Sequence, residues 1–391
     1  MLVGCDLART SGASAVERYV TAAPERTLWA AMTSVRWEGD LTGRHSLAVV
    51  NRAIVLGLLR QGIKVETCAQ QDGPYRVPDR VKVRETSGDV DVTVRHQWPP
   101  RLAGGHRGRL VFWQPWEYGS VPRDWARFAA HVADEVWCYT NFVRDCYVES
   151  AVDPSKCHIV PLGVDLSLYH HAGRQFQLPD AKCTFLFVGG TIQRKGIDVL
   201  LSGFVEAFEN RDDVLLVIKG FGGGSFYRGS SITDLVDAIG RARPVTPRVE
   251  YIDADVSDVE LASLYRAADV LVHPYRGEGY ALPVAEALAC GTPVIVTAGG
   301  ATEDFVADGA GWKIPAKKTI LRPEVLGLPE PGGHAHWLEP DHSAFVSTLR
   351  HVADNAEARS DAARVARMGR NQLSWQNGIS AAVDRIRSLA V

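Results

Sequence analysis

The chain has 391 residues, 46% of them apolar and 23% charged, which is too long for one small core and too apolar for a disordered chain. Its 43 basic and 46 acidic residues leave a formal net charge of −3, which excludes the broad positive field that recruits nucleic acid or anionic lipid. Seven scattered cysteines without a Cys-x-x-Cys spacing, no apolar run long enough to span a bilayer and no charged-then-apolar leader predict a soluble, cytoplasmic protein with reduced thiols.

Residues 1–26 are polar and Ala-rich with little periodicity, and are set apart as an extension. The run Leu28 to Val35 predicts a first strand, the stretch Arg36 to His45 a loop, and Ser46 to Leu59 an amphipathic helix stopped near Gly62. Short apolar runs follow at Val65–Ala69, Val90–Val94, Arg109–Trp113, Glu135–Tyr139 and His158–Val160, separated by helical or loop material. Strands alternating with helices in this way predict a parallel, doubly wound sheet. The polar stretch Tyr169 to Lys182 reads as a linker, so residues 1–168 form one predicted domain and 169–182 a connection.

A second series opens at Thr184–Gly190 and continues through Val214–Ile218, Val249–Ile252, Val270–His273 and Pro293–Thr297, giving a second domain over 183–371. Within it, Lys219 to Gly229 is glycine-rich, but Ser225 stands where the third glycine of a dinucleotide fingerprint belongs. The densest basic stretch, Arg241, Arg243 and Arg248, is broken by Pro244 and Pro247 and reads as a solvated loop. His334, His336 and His342 fall in a Pro/Gly-rich insertion with no metal-ligand spacing, and a surface loop is expected there. Residues 372–391 close the chain as an amphipathic helix.

The most informative stretch runs from Arg276 to Gly291. Glu278 lies in a Gly-rich loop after a buried strand, and Glu286 follows with seven residues between them, in a helix that begins at Pro283 and stops at Gly291. In an open α/β sheet this loop sits beyond the carboxyl end of a strand, where ligands bind, and a helix N-terminus beside it can hold an anion. The segment resembles the Glu, seven residues, Glu signature of retaining glycosyltransferases of family 4. That resemblance covers nearly all of residues 28–389 and implies the GT-B fold, two Rossmann-like α/β domains with doubly wound parallel sheets facing a cleft, with the final helix crossing back to the first domain. It implies that Glu286 takes the ribose hydroxyls of a nucleotide and that Glu278 stands close to the transferred sugar.

The same resemblance gives the other site residues. The loop Gly189-Gly190-Thr191-Ile192-Gln193-Arg194-Lys195 matches the family's diphosphate-binding turn; Lys195 matches its lysine, while Gly190 replaces its arginine, leaving Arg194 as the substitute. Gly279, Tyr280, Ala281, Leu282, Gly43 and Lys219 complete the expected donor site. On the acceptor side the candidates are Arg44, His45, Trp98, Gln114, Trp116 and Glu117. Gln114 occupies the place where many relatives carry a histidine near the reacting sugar, so His96 joins Glu278, Lys195 and Arg194 as a catalytic candidate.

The function expected from this reading is transfer of a sugar from a nucleotide-diphosphate donor to a hydroxyl or amine of a small-molecule, glycan or glycolipid acceptor. Anomeric configuration is retained, and no metal or resident cofactor is expected. Two alternatives stay open: a nucleotide-sugar epimerase of similar architecture, and a catalytically silent nucleotide-sugar binder.

Overall fold

The structure, a computed structural model, describes residues 33–67, 73, 75–77, 80–83, 89–220, 247–322 and 327–390. The expected extension over 1–26, the opening of the first strand, Arg241 and Arg243, and the glycine-rich stretch from Phe221 to Gly229 lie outside them.

Two parallel sheets divide the described chain. The first contains β1 (Ser34–Glu38), β2 (Lys64–Thr67), β3 (Lys82–Val83), β4 (Val92–Arg95), β5 (Arg109–Trp113), β6 (Glu135–Cys138) and β7 (Cys157–Ile159), in the order β3-β2-β1-β4-β5-β6-β7. Its described helices are α1 (Ser46–Arg60), α2 (Arg123–His131) and α3 (Asn141–Glu149). The second contains β8 (Cys183–Gly189), β9 (Val214–Gly220), β10 (Arg248–Ile252), β11 (Val270–His273), β12 (Val294–Thr297) and β13 (Gly311–Ile314), in the order β10-β9-β8-β11-β12-β13. It carries α4 (Ile197–Ala207), α5 (Asp258–Ala267) and α6 (Leu282–Ala289), followed by α7 (His342–Asp354) and α8 (Ala356–Gly369). Every residue of β8 and β9 is buried, which explains why both strands read as continuous apolar runs: helices cover each face of the sheet.

In both sheets the chain runs outward from a central strand, first one way and then the other. This reversal opens a crevice at the carboxyl ends, on the second sheet between β8 and β11. Loops from those ends meet across a seam. Arg44, after β1, pairs with Asp255, after β10, at 3.5 Å. The backbone N–H of Asn141, after β6, donates to Asp304 Oδ2, after β12, at 2.7 Å.

Two further connections join the halves. The last helix, α9 (Trp375–Leu389), returns to the first sheet and packs on α1; a Cβ on Gly57 would lie 2.4 Å from Ile379 Cγ1, and Arg385 forms an ion pair with Glu135. The second connection departs from the sequence reading. Within the insertion expected to be a surface loop, His336 lies buried in β15 (His336–Pro340), which pairs antiparallel with β14 (Ala316–Ile320), and His342 opens α7. Alternation along Trp337-Leu338-Glu339 is too short to stand out beside the Pro and Gly residues that precede it.

Gly57→Val forces methyl groups into the α1–α9 contact, an overpacking that costs about 1–3 kcal/mol. Urea unfolding should register that loss together with faster protease release of the C-terminal helix; an unchanged midpoint would refute the contact.

Candidate functional site

The loop after β8 and the loop after β11 converge on Glu278. Lys195, in a short 3-10 turn over Gln193–Lys195, donates from Nζ to Glu278 Oε1 at 2.5 Å. Arg194 Nη1 lies 3.3 Å from Glu278 Oε2 and 3.8 Å from Glu117 Oε1, the latter on the loop after β5. His273, the last residue of β11, places Nε2 3.0 Å from Glu278 Oε1. Glu278 is only 5% exposed, so it depends on these three partners rather than on water. Burial alone would raise its pKa, but Lys195, Arg194 and His273 outweigh that effect and hold the carboxyl well below the usual carboxylate range. Burial, with the nearby cations, pushes His273 down, so the ring is neutral and donates from Nε2; its Nδ1 has no partner among the described residues.

The Glu278 loop is clamped from both sides. A Cβ on Gly277 would come within 2.1 Å of the Glu117 carbonyl oxygen, so only glycine permits that approach. Arg194 Nη1 donates to the Gly277 carbonyl at 2.6 Å, Thr140 Oγ1 donates to the Gly279 carbonyl at 3.1 Å, and Tyr280 OH donates to the Leu162 carbonyl at 2.9 Å. Ala281 then enters α6 with φ 73 and ψ 63, a left-handed conformation that costs a non-glycine residue about 1–3 kcal/mol and concentrates at ligand sites.

Glu286 occupies a different environment. It lies on α6 about 6 Å along the axis from Leu282 at the helical rise per residue. Tyr265, on α5, donates its hydroxyl to Glu286 Oε2 at 2.7 Å, and Tyr169 also approaches. Burial, reinforced by Asp258 and opposed by the tyrosine hydroxyls, pushes Glu286 up to about 7. The structure therefore gathers Lys195, Arg194 and Glu278, and sets Glu286 apart on the helix that follows.

The remaining candidates separate by burial. Gly189 ends β8 in register with Gly220 at the end of β9, beside fully buried Lys219, whose Nζ donates to the Gly220 carbonyl. Gly190, Gly279 and Tyr280 are buried in the same region, while Leu282 is partly exposed. Gly43 donates its N–H to Asp40 at 3.1 Å; His45 caps α1 by accepting from Ala48 N–H and also contacts Asp40, and Arg44 is exposed beside Asp255. Trp116 is buried and donates to the Ser120 carbonyl, whereas Trp98 is half exposed.

His96 proves to be an enclosed group. Asn51 uses its Nδ2 on the carbonyls of Asp40 and His96, and its Oδ1 accepts from Trp37 Nε1 at 2.8 Å. Oδ1 must therefore also accept from His96 Nδ1, at 2.5 Å, and His96 Nε2 accepts the Tyr139 hydroxyl proton. Burial, aided slightly by His45, pushes His96 down to about 3, so the ring is neutral and both nitrogens are engaged. Gln114 is likewise fully buried, donating from Nε2 to the Arg95 carbonyl at 3.0 Å; its Oε1 has no partner among the described residues. Neither Tyr265 nor His273 was a site candidate in the sequence reading. His273 had a signal, as the last residue of a buried strand at the ligand edge of a sheet; Tyr265, on another helix, had none.

Residues 182–322 match the family of glycosyl transferases group 1. Among curated relatives, a D-inositol 3-phosphate glycosyltransferase of Segniliparus rotundus is 30% identical over 202 residues, covering 48% of this chain and 44% of that protein. A protein of the same name from Salinispora tropica is 28% identical, covering 59% of this chain and 46% of the relative. The chain thus spans under half the length of these relatives. Solved structures of a sucrose-phosphate synthase from Thermosynechococcus elongatus and of Anabaena HepE in complex with UDP superpose with TM-scores of 0.66 and 0.61, each covering 91% of this chain and 99% and 100% of theirs. At 16% and 13% identity these two share the architecture, and the two-sheet arrangement is the GT-B fold.

Because the folded-state pKa of Glu278 is depressed, its contribution to stability is present above the ordinary glutamate value of 4.5 and is lost as pH falls through the folded-state value. Glu278→Gln should cost on the order of 3 kcal/mol near neutral pH. That deficit, followed by urea unfolding, should shrink as pH falls below 4.5, because the unfolded chain's carboxyl then takes up its proton while the folded one stays charged; a deficit that stays constant with pH would contradict the ion pairing.

Proposed function

We propose that the protein is a retaining glycosyltransferase that moves a sugar from a nucleotide-diphosphate donor to an acceptor hydroxyl or amine. The observation that carries this reading is the convergence of Lys195, Arg194 and Glu278 at the carboxyl ends of β8 and β11. Two cations there suit a leaving diphosphate, whose charge grows as the glycosidic bond breaks. Glu278, held ionised between them, suits the hydroxyls of the transferred sugar, and Glu286 suits the vicinal hydroxyls of a ribose.

Retention follows from a front-face reaction in this reading. The acceptor attacks the anomeric carbon from the side the diphosphate leaves, and an oxygen of the departing diphosphate takes the acceptor's proton. The anomeric carbon is oxocarbenium-like in the transition state, and catalysis comes from positioning and from stabilising the leaving group. Enclosure of His96, with both nitrogens engaged, favours this route over one using that ring as a base.

A thermal-shift panel of UDP, GDP, dTDP and ADP sugars tests the donor class, since a ligand that binds the native state raises the unfolding midpoint. No shift with any member would refute the reading, transfer to an acceptor would support it over a silent binder, and epimerised sugar without acceptor would favour the isomerase.

Glu286 gives a pH test. Its raised value of about 7 leaves it largely neutral below that pH and charged above it, so donor affinity should rise between pH 6 and pH 8. Glu286→Gln should weaken donor binding by about 10- to 100-fold at pH 8, as expected for loss of a charged hydrogen-bond acceptor, and should flatten the profile. An equally steep profile in the variant would remove Glu286 from the ribose site.

A further inference from the structure

Arg276 opens the loop that carries Glu278, yet it does not touch that carboxylate. Arg276 is 7% exposed, and its guanidinium grips two others. Nη1 and Nη2 donate to Asp198 Oδ1 and Oδ2 at 2.7 and 2.9 Å, and Nε and Nη2 donate to Glu339 Oε2 and Oε1 at 2.7 and 2.8 Å. Nη1 also donates to the Gln193 carbonyl at 2.8 Å, and the group lies over the Trp337 ring at 4.9 Å. Pairing two carboxylates bidentately needs a planar fork of donors, which lysine lacks.

The backbone of Arg276 extends the same connection. Its N–H donates to the Arg194 carbonyl at 2.8 Å, and its carbonyl accepts from Leu338 N–H at 2.8 Å. One residue therefore joins the Arg194–Lys195 turn, the start of α4, the Glu278 loop and strand β15.

The hairpin that supplies Glu339 reaches the other half of the molecule. Gly119 forms a bridge with Ala335 and Pro122 with Pro331. His336 N–H donates to the Tyr118 carbonyl at 3.0 Å, Gly332 N–H to the Val121 carbonyl at 2.8 Å, and Arg123 pairs with Glu330 at 2.6 Å. Tyr118 directly follows Glu117, which faces Arg194.

We propose that Arg276 is a positioning residue: it fixes the Lys195 turn against the Glu278 loop and, through Glu339, ties both to a β14–β15 strap anchored on the first half. The donor-binding part rests on the function proposed above; the mechanical coupling does not. In this arrangement the spacing of the cationic and anionic sides of the site depends on the strap, so the first half influences the donor side without touching the ligand.

Amide hydrogen exchange of the full chain, compared for the native protein, Arg276→Gln, Arg276→Lys and Glu339→Gln, tests the coupling, with UDP as the titrated probe. Arg276→Gln should accelerate exchange about tenfold or more over residues 190–198, 276–282 and 336–340 while β4, β5 and β12 keep their protection, and should weaken UDP by about tenfold. Glu339→Gln, which leaves the Asp198 pair in place, should loosen the strap and the Glu278 loop together. Arg276→Lys should restore less than half of the lost UDP affinity, because charge returns without the fork. Uniform acceleration across both sheets with unchanged UDP affinity, or loosening confined to the hairpin in the Glu339 variant, would overturn the proposal. Failure of the native protein to bind UDP would count against a uridine donor, while the exchange pattern would still decide the coupling.

Discussion

A carboxylate withdrawn from water must find compensating donors, and the second half of this molecule is organised around meeting that requirement for Glu278. Its partners come from β11 through His273 and from the turn after β8 through Lys195 and Arg194, so the loops are held where the carboxylate needs them. The close approach at Gly277 and the left-handed Ala281 lie in the same short segment. Neither is stable by local preference, and both persist because the surrounding ionic and backbone contacts leave the loop little freedom.

Spacing alone does not assign roles to the two acidic residues; their surroundings do. Glu278 faces two cations and is kept ionised, whereas Glu286 faces tyrosine hydroxyls and Asp258 and retains its proton more readily. The contrast separates a group already committed to charge from one whose charge can be called up by a ligand. A ribose diol donating to Glu286 would compete with Tyr265 for the same oxygen, which is a smaller rearrangement than breaking a buried ion pair.

The alternation of apolar runs revealed both sheets because a strand buried on two faces is apolar throughout, and Arg109–Trp113 and Val270–His273 appear with the very boundaries read from the chain. Strand ends elsewhere shift by a few residues, since polar groups such as Arg95 can finish a strand when an internal partner, here Glu38 at 2.7 Å, meets their charge. The loops bearing Lys195 and Glu278 were legible because glycines and strand ends mark them locally. What was not legible is long-range: Tyr265 meets Glu286 across two helices, and Glu339 meets Arg276 from a hairpin 63 residues away in sequence. No local periodicity encodes such a meeting.

His96 illustrates how position and role can come apart. It stands directly after β4, at the edge where ligands bind, yet its ring is engaged by Asn51 and Tyr139 and lies against Trp113 with centroids 4.5 Å apart. Releasing Nε2 to a substrate would leave the buried Tyr139 hydroxyl without its acceptor, a penalty of about 1–3 kcal/mol before any chemistry began. Tyr139 also borders Gly279, and its neighbour Thr140 holds the Gly279 carbonyl. The imidazole thus acts on the Glu278 loop at one remove, as part of the wall that the loop packs against. Proton transfer through this wall would break the contacts that keep the wall in place, so the enclosed network is better suited to rigidity than to catalysis.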